Sequence, residues 1–136
     1  MTGYNLKSIK TVSTFEFPVK DHDGNPTGVV FVLAGPTHPA REAVEMARNR
    51  RLIQAANKTG RVTLPDPAET KASRVKELAA CTLGWTGYAD ETGQPVAYST
   101  ATAEALYADP EMLWLTDQVE EALGNKSLYT KPASAS

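Results

Sequence analysis

Asp21-His22-Asp23-Gly24-Asn25 is the stretch whose residue types come closest to metal chemistry. Oxygen ligands at alternating positions begin a calcium loop. The continuation excludes one: an EF-hand needs Gly where Pro26 stands and a bidentate Glu where Val32 stands. Turn chemistry accounts for the same residues, because Asp, Gly and Asn each favour a reversal of the chain. His22, His38 and Cys81 lack the spacing of a zinc set. Cys81 sits among small residues in a helical stretch and reads as a small buried hydrophobe rather than a nucleophile. Gly35-Pro36-Thr37 lacks the rest of a phosphate-binding loop. Asp90-Glu91 and Glu120-Glu121 are adjacent in sequence, not opposed across a cleft, and suit a solvated surface. The residues therefore point to no cofactor, no metal and no enzyme.

The elements that would position these groups follow from local pattern. With 136 residues the chain fits one domain. A net charge of −2 and 41% hydrophobic residues argue against both disorder and a basic nucleic-acid binder. The start has no apolar run of the secretory type, and Val29 to Ala34 is too short to span a bilayer, so the expectation is a soluble intracellular protein. A lone cysteine fits a reducing compartment.

Residues 1–10 suit an arm or a first strand equally. Phe15, Phe17 and Val19 alternate with polar or small residues as in a strand with one buried face. Pro18 cannot donate to a ladder, which places that strand at an edge. Residues 20–28 are a turn, and Val29 to Ala34 is a second strand, giving a hairpin. Thr37 or His38 caps a helix, with Pro39 tolerated in its first turn, over Ala40 to about Lys58; Ala40, Ala43, Val44, Ala47 and Ala55 fall on one side with Met46 and Ile53 beside them, and Thr59-Gly60 ends it. Asp66-Pro67-Ala68-Glu69 opens the next helix, whose stripe is Val75, Leu78, Ala79, Thr82 and Leu83 and whose stop is Gly84. Residues 88–98 form a loop or small hairpin turning on Asp90 and Gly93. Ser99 caps a short helix to about Tyr107. Asp109-Pro110 opens the last helix, with Met112, Leu115, Thr116, Val119, Ala122 and Leu123 buried. No internal repeat stands out. The expected fold is α+β: an N-terminal antiparallel β-hairpin or small sheet followed by a bundle of about four α-helices. It forms a single domain over residues 1–130, with a mobile tail at 131–136.

Two features remain once this fold is accounted for. Arg41, Arg48, Arg50, Arg51 and Arg61 form the one basic concentration, interrupted by Glu42 and Glu45. A salt-bridged, solvated helix face explains it; contact with an acidic partner or a neighbouring subunit is the functional alternative. Trp114 falls off the buried stripe of its helix at about 100° per residue. Either the hairpin covers it, or it is exposed and anchors a protein contact. Tyr107 and Leu113 could share that surface. The candidate interface is thus Trp114, Leu113, Tyr107, Arg48 and Arg51.

The C-terminal pattern runs Leu78-Ala79-Ala80-Cys81-Thr82-Leu83-Gly84-Trp85, Gly93-Gln94-Pro95-Val96-Ala97-Tyr98-Ser99, Ala103-Glu104-Ala105-Leu106-Tyr107-Ala108-Asp109-Pro110 and Trp114-Leu115-Thr116-Asp117-Gln118-Val119, with an aromatic at Tyr129. In order and punctuation it resembles the tail assembly chaperones of long-tailed (siphovirus-type) bacteriophages, over residues 12–130. That resemblance implies a non-enzymatic assembly factor in the host cell cytoplasm. Such a factor binds the phage tape-measure protein, and contacts tail-tube subunits, while the tube polymerises. It implies no nucleic acid and no membrane partner, and a longer frameshifted form is made by many members. The family supplies no invariant residues to carry over. An alanine-rich helix and an off-stripe aromatic would equally serve a homo-oligomer. The alternative is a virion structural protein of the head–tail joining or tail-completion type. A small enzyme or a regulator of host proteins is a third option, and would need a deep polar pocket.

Overall fold

The computed structural model describes residues 3–59 and 67–132. These form five α-helices and five strands in two sheets, a mixed α/β arrangement with strands first. Strand β1 (Ile9–Thr11) follows a 3₁₀ turn at Leu6–Ser8, so of the first ten residues only the last two belong to a strand among those described. Strands β2 (Thr14–Lys20) and β3 (Pro26–Ala34) make a hairpin, with a tighter turn than expected: β3 starts at Pro26 rather than Val29 and Lys20 pairs with Pro26. Phe15 lies opposite Leu33 and Phe17 opposite Phe31, which puts the large side chains on one face. Pro18 is tolerated because β2 is an edge strand of the β2-β3-β4 sheet.

The hairpin turn is built on Asp21. Its Oδ1 accepts from the amides of Asp23 and Asn25, both at 2.9 Å, and Gly24 takes a φ of +83° that the reversal requires. The same turn recurs at Asp90-Glu91-Thr92-Gly93-Gln94-Pro95. There Asp90 Oδ1 accepts from Thr92 and Gln94, Gly93 has a φ of +83°, and Ala89 bridges Pro95. Both stretches read Asp-x-x-Gly-(Asn/Gln)-Pro, a local repeat of turn chemistry. Hydrogen bonds hold both carboxyls below the usual range, from Asn25 first at Asp21 and from Thr92 first at Asp90.

The third strand corrects the sequence expectation. Helix α2 (Pro67–Cys81) ends before Thr82, and Thr82–Thr86 is strand β4, antiparallel to β3. Thr82 and Leu83 are therefore sheet residues and not part of the helical stripe, and Gly84 is not the helix stop. Trp85 lies opposite Phe31, and a register shift between Val32 and Leu33 absorbs the extra residue. Gly87 follows at a φ of +78°, so close to the hairpin that a Cβ would stand 2.4 Å from the Gly28 carbonyl oxygen.

Helix α1 (Pro39–Thr59) starts as expected: His38 Nδ1 accepts from the Ala40 amide at 3.0 Å. Helix α3 (Thr100–Ala108) opens with a capping box, Ser99 Oγ accepting from the Thr102 amide and Thr102 Oγ1 from the Ser99 amide. Asp109 Oδ1 accepts from Glu111, and a 3₁₀ turn at Pro110–Met112 leads into helix α4 (Leu113–Gly124). The Asp66 cap and the Gly60 stop fall outside the described residues. The fifth helix exceeds the expected four: α5 is a single turn at Lys126–Tyr129. It feeds strand β5 (Thr130–Pro132), which pairs with β1. The tail expected from residue 131 is thus strand as far as Pro132. Burial explains the difference. Tyr129 is buried against Phe15, with ring centroids 5.9 Å apart, and its carbonyl accepts from the Val12 amide at 2.7 Å.

The core lies between the apolar face of the sheet and α2, α3 and α4. Phe31, Leu33, Trp85, Leu78, Ala103, Leu115 and Val119 are among its members. Trp85 is its aromatic centre: Tyr88 and Tyr98 meet it edge-on and its Nε1 donates to the Val96 carbonyl at 2.8 Å. Thr82 is its polar centre. Its Oγ1 donates to the Leu78 carbonyl at 2.8 Å, which leaves Tyr107 as the donor across the 2.7 Å contact between the two hydroxyls. The Tyr98 hydroxyl donates to the Thr82 carbonyl. Thr82→Val keeps the shape and removes the hydroxyl, so it should lower unfolding free energy by about 1–3 kcal/mol in urea titrations. Tyr107→Phe, which leaves the Thr82–Leu78 bond in place, should cost less, about 0.5–1.5 kcal/mol.

Candidate functional site

The off-stripe end of α4 is built by the Asp109-Pro110 entry, which fixes the phase of the helix. Leu115, Thr116, Val119 and Ala122 then face the core. Leu113 and Trp114 fall to the side, 52% and 41% exposed. Trp114 is partly covered and partly exposed. The indole lines an apolar cavity of about 150 Å³ with Val19, Thr27 and Val29 of the hairpin and with Phe31, Tyr88, Leu106, Met112 and Leu115. The hairpin covers it on that side, and the rest is open to solvent. Trp114 thus forms a ledge at a small apolar hollow suited to receiving an aliphatic side chain, and Leu113, which does not line the hollow, is exposed next to it in the helix.

Tyr107 does not belong to this surface. It is 3% exposed and bonded to Thr82, and burial pushes its phenol well above the ordinary range. An α3 that is apolar nearly all round hid this, because periodicity does not separate the buried from the open side of such a helix.

Arg48 and Arg51 lie elsewhere, between α1 and α2. Arg48 Nη2 reaches Glu77 Oε2 at 2.7 Å, Arg51 Nη2 reaches Glu77 Oε1 at 2.9 Å, and Arg51 Nη1 donates to Ser73 Oγ at 2.8 Å. One carboxylate therefore clasps two arginines, and the bond from Glu77 holds the Arg48 guanidinium above its ordinary pKa. The salt-bridged face anticipated from the sequence is present, with its acidic partner on the next helix rather than at Glu42 or Glu45. Both arginines are about half exposed, so each pair contributes no more than about 1 kcal/mol. Arg41 is tied down differently. It donates to the Leu123 carbonyl at 2.6 Å and the Ala34 carbonyl at 3.4 Å, and lies 5.6 Å from the centre of the Tyr129 ring. Arg61 is outside the described residues.

A cleft of about 390 Å³ opens between α1, α2 and α4, with Arg41, Arg48, Arg74, Glu45, Glu77 and Glu120 at its walls and Leu78 and Cys81 below. Its arginines are engaged: Arg74 pairs with Asp117 at 2.8 Å and with Glu120. Burial raises the Cys81 thiol above its ordinary pKa, which disfavours the reactive thiolate. Asp21, His22 and Asp23 bring three potential ligand atoms within 4.8 Å of one another, but Asp21 Oδ1 already serves the turn. No helix among the described residues is long and apolar enough to cross a membrane.

The cavity beside Trp114 and the cleft beside Arg48 have no lining residue in common. The five candidate residues therefore divide into an exposed pair on α4 (Leu113, Trp114), an interhelical clasp (Arg48, Arg51) and a core hydroxyl (Tyr107). Helix α1 presents a further exposed surface: Met46 and Ile53, placed beside the alanine stripe by the sequence, are each 61% exposed and Leu52 is 52% exposed. Comparison with protein families, curated proteins and solved structures finds no match to this chain.

Trp114→Ala should cost about 1 kcal/mol of stability or less, against about 3–5 kcal/mol for Trp85→Ala, measured by chemical unfolding. Cys81 should react with a disulfide reagent at neutral pH only when denaturant opens the core, and a native chain that reacts at the rate of free cysteine would contradict its placement.

Proposed function

We propose that this chain is a non-catalytic bacteriophage tail assembly chaperone. It binds the tape-measure protein in the host cytoplasm and keeps it soluble while the tail tube assembles. The observation that carries the reading is the part-exposed Trp114 indole at an apolar hollow of about 150 Å³, with the exposed Leu113 next to it in the helix. A long amphipathic helix presents apolar side chains about every turn, and each of several chaperone copies would bind one such side chain at modest strength. The C-terminal sequence pattern supports the same class of protein. Its proposed chemistry is recognition of an apolar helical stripe, with no covalent step.

Co-expression of the chain with a tape-measure protein should shift that partner from the insoluble to the soluble fraction. Trp114→Ala should reduce the recovery of the complex by about tenfold while leaving the thermal unfolding midpoint nearly unchanged. Failure to bind or rescue a long helical partner defeats the proposal. Recovery of the chain from mature particles would favour a head–tail joining or tail-completion protein instead.

A further inference from the structure

The hollow beside Trp114 sits where a hairpin, a loop and a helix entry meet. Val19 and Thr27 reach it from the ends of β2 and β3, Tyr88 from the stretch after β4, and Leu106 and Met112 from either side of the Asp109-Pro110 entry. Thr27 donates its hydroxyl to the Val19 carbonyl at 2.8 Å, so its polar group is already engaged. An apolar space of about 150 Å³ holds about six carbon atoms, and so takes one aliphatic side chain.

The three stretches that wall the hollow are also acidic. Asp21 and Asp23 lie in the turn between Val19 and Thr27, Asp90 and Glu91 follow Tyr88, and Asp109 and Glu111 lie between Leu106 and Met112. Six of the chain's 16 acidic residues fall there, against Lys20 alone of its 14 lysines and arginines. None is more than four residues from a wall of the hollow, so their fields overlap at its mouth over about one Debye length. Asp23 lies 3.3 Å from His22; the other five form no ion pair among the described residues. The turn hydrogen bonds that lower the Asp21 and Asp90 carboxyls keep both charged.

We propose that the Trp114 hollow selects a basic amphipathic helix, one of whose aliphatic side chains enters the hollow while neighbouring lysines or arginines face the acidic rim. This rests on reading the hollow as a docking site, and it names the chemistry of the partner that fits there. The apolar contact supplies the anchor and the rim supplies the choice: a helix with carboxylates beside the same aliphatic residue meets like charge on three sides. Exposed pairs of this kind act mainly on the rate of encounter and fade with salt.

Two synthetic helical peptides with the same leucine stripe, flanked by lysines in one and by glutamates in the other, test this when titrated into the full chain by fluorescence anisotropy. At low salt the lysine peptide should bind at least about tenfold more tightly, and the difference should shrink towards about 0.5 M salt. Trp114→Ala should weaken the lysine peptide by about tenfold. Glu91→Lys combined with Glu111→Lys should weaken it by a similar factor and strengthen the glutamate peptide, with the circular dichroism unchanged. Glu42→Lys makes the same kind of charge change beside Arg41, at the Leu123 end of α4, and should leave both affinities as they are. Equal affinity for the two peptides, or Glu42→Lys acting as strongly as the rim pair, would overturn the selection by charge while leaving the hollow a docking site. Binding indifferent to Trp114→Ala would overturn the site itself. A chain that self-associates through Trp114 and excludes the lysine peptide would assign the hollow to a second copy and overturn the proposal. A lysine peptide bound at Trp114 by a chain that rescues no tape-measure protein would support it and defeat the tail-chaperone reading alone.

Discussion

Helix α2 gives way to strand β4 with no loop between them, and the backbone groups at that junction must be satisfied inside the core. A helix leaves its last carbonyls without intrahelical partners, and at this end Leu78, Cys81 and Thr82 are buried. The Thr82 side chain resolves this locally, donating to the Leu78 carbonyl while its own carbonyl takes the Tyr98 hydroxyl. Tyr107 closes the set by donating to Thr82 Oγ1. Three segments far apart in sequence (the end of α2, the loop after β4 and helix α3) are thereby locked to one 1%-exposed residue. Because β4 starts there, the Thr82 junction also fixes where Trp85 falls against Phe31. The aromatic cluster and the register of the sheet depend on it.

Stability and presentation are carried by different parts of the molecule. The sheet, α2, α3 and α4 share one core of large apolar side chains, each contributing about 1.5–3 kcal/mol by burial. Helix α1 joins that body through half-exposed ion pairs and the Arg41 anchor at its first turn, and its residues Ala43 and Ala47 are exposed beside an open groove along α2. Exposed alanines bury little apolar area, and exposed pairs are weak. The largest side chains of α1 are left in solvent, as are Leu113 and Trp114 on α4. A side chain that contributes little to its own fold is free to contribute to an interface, which is the physical basis for reading the Trp114 hollow as a docking site.

Local chemistry made much of this fold legible. The Asp21 and Asp90 turns, the Ser99 box and the Asp109-Pro110 entry each act over a few residues, and each was visible in the sequence. What escaped was set by distant partners. Val75, Leu78, Ala79, Thr82 and Leu83 satisfy helical periodicity, so nothing local separates the strand from the helix; pairing with β3, about fifty residues earlier, makes the distinction. Lys131 and Pro132 looked like part of a tail because the strand they pair with lies at the other end of the chain. Helical phase placed Trp114 off its stripe correctly. It gave no warning for Tyr107, whose burial depends on a hydroxyl of β4. Arg48 and Arg51 were read either as a salt-bridged face or as a partner contact, and the carboxylate they pair with, Glu77, belongs to another helix.

The division between a locked body and a lightly held α1 is open to native-state hydrogen exchange. The slowest amides should be those of β3, β4 and the last turn of α2. Amides of α1 beyond Arg48 should exchange at least about a hundredfold faster, because local opening there disrupts few buried contacts. Exchange along residues 49–57 as slow as that of Phe31 to Leu33 would contradict the division.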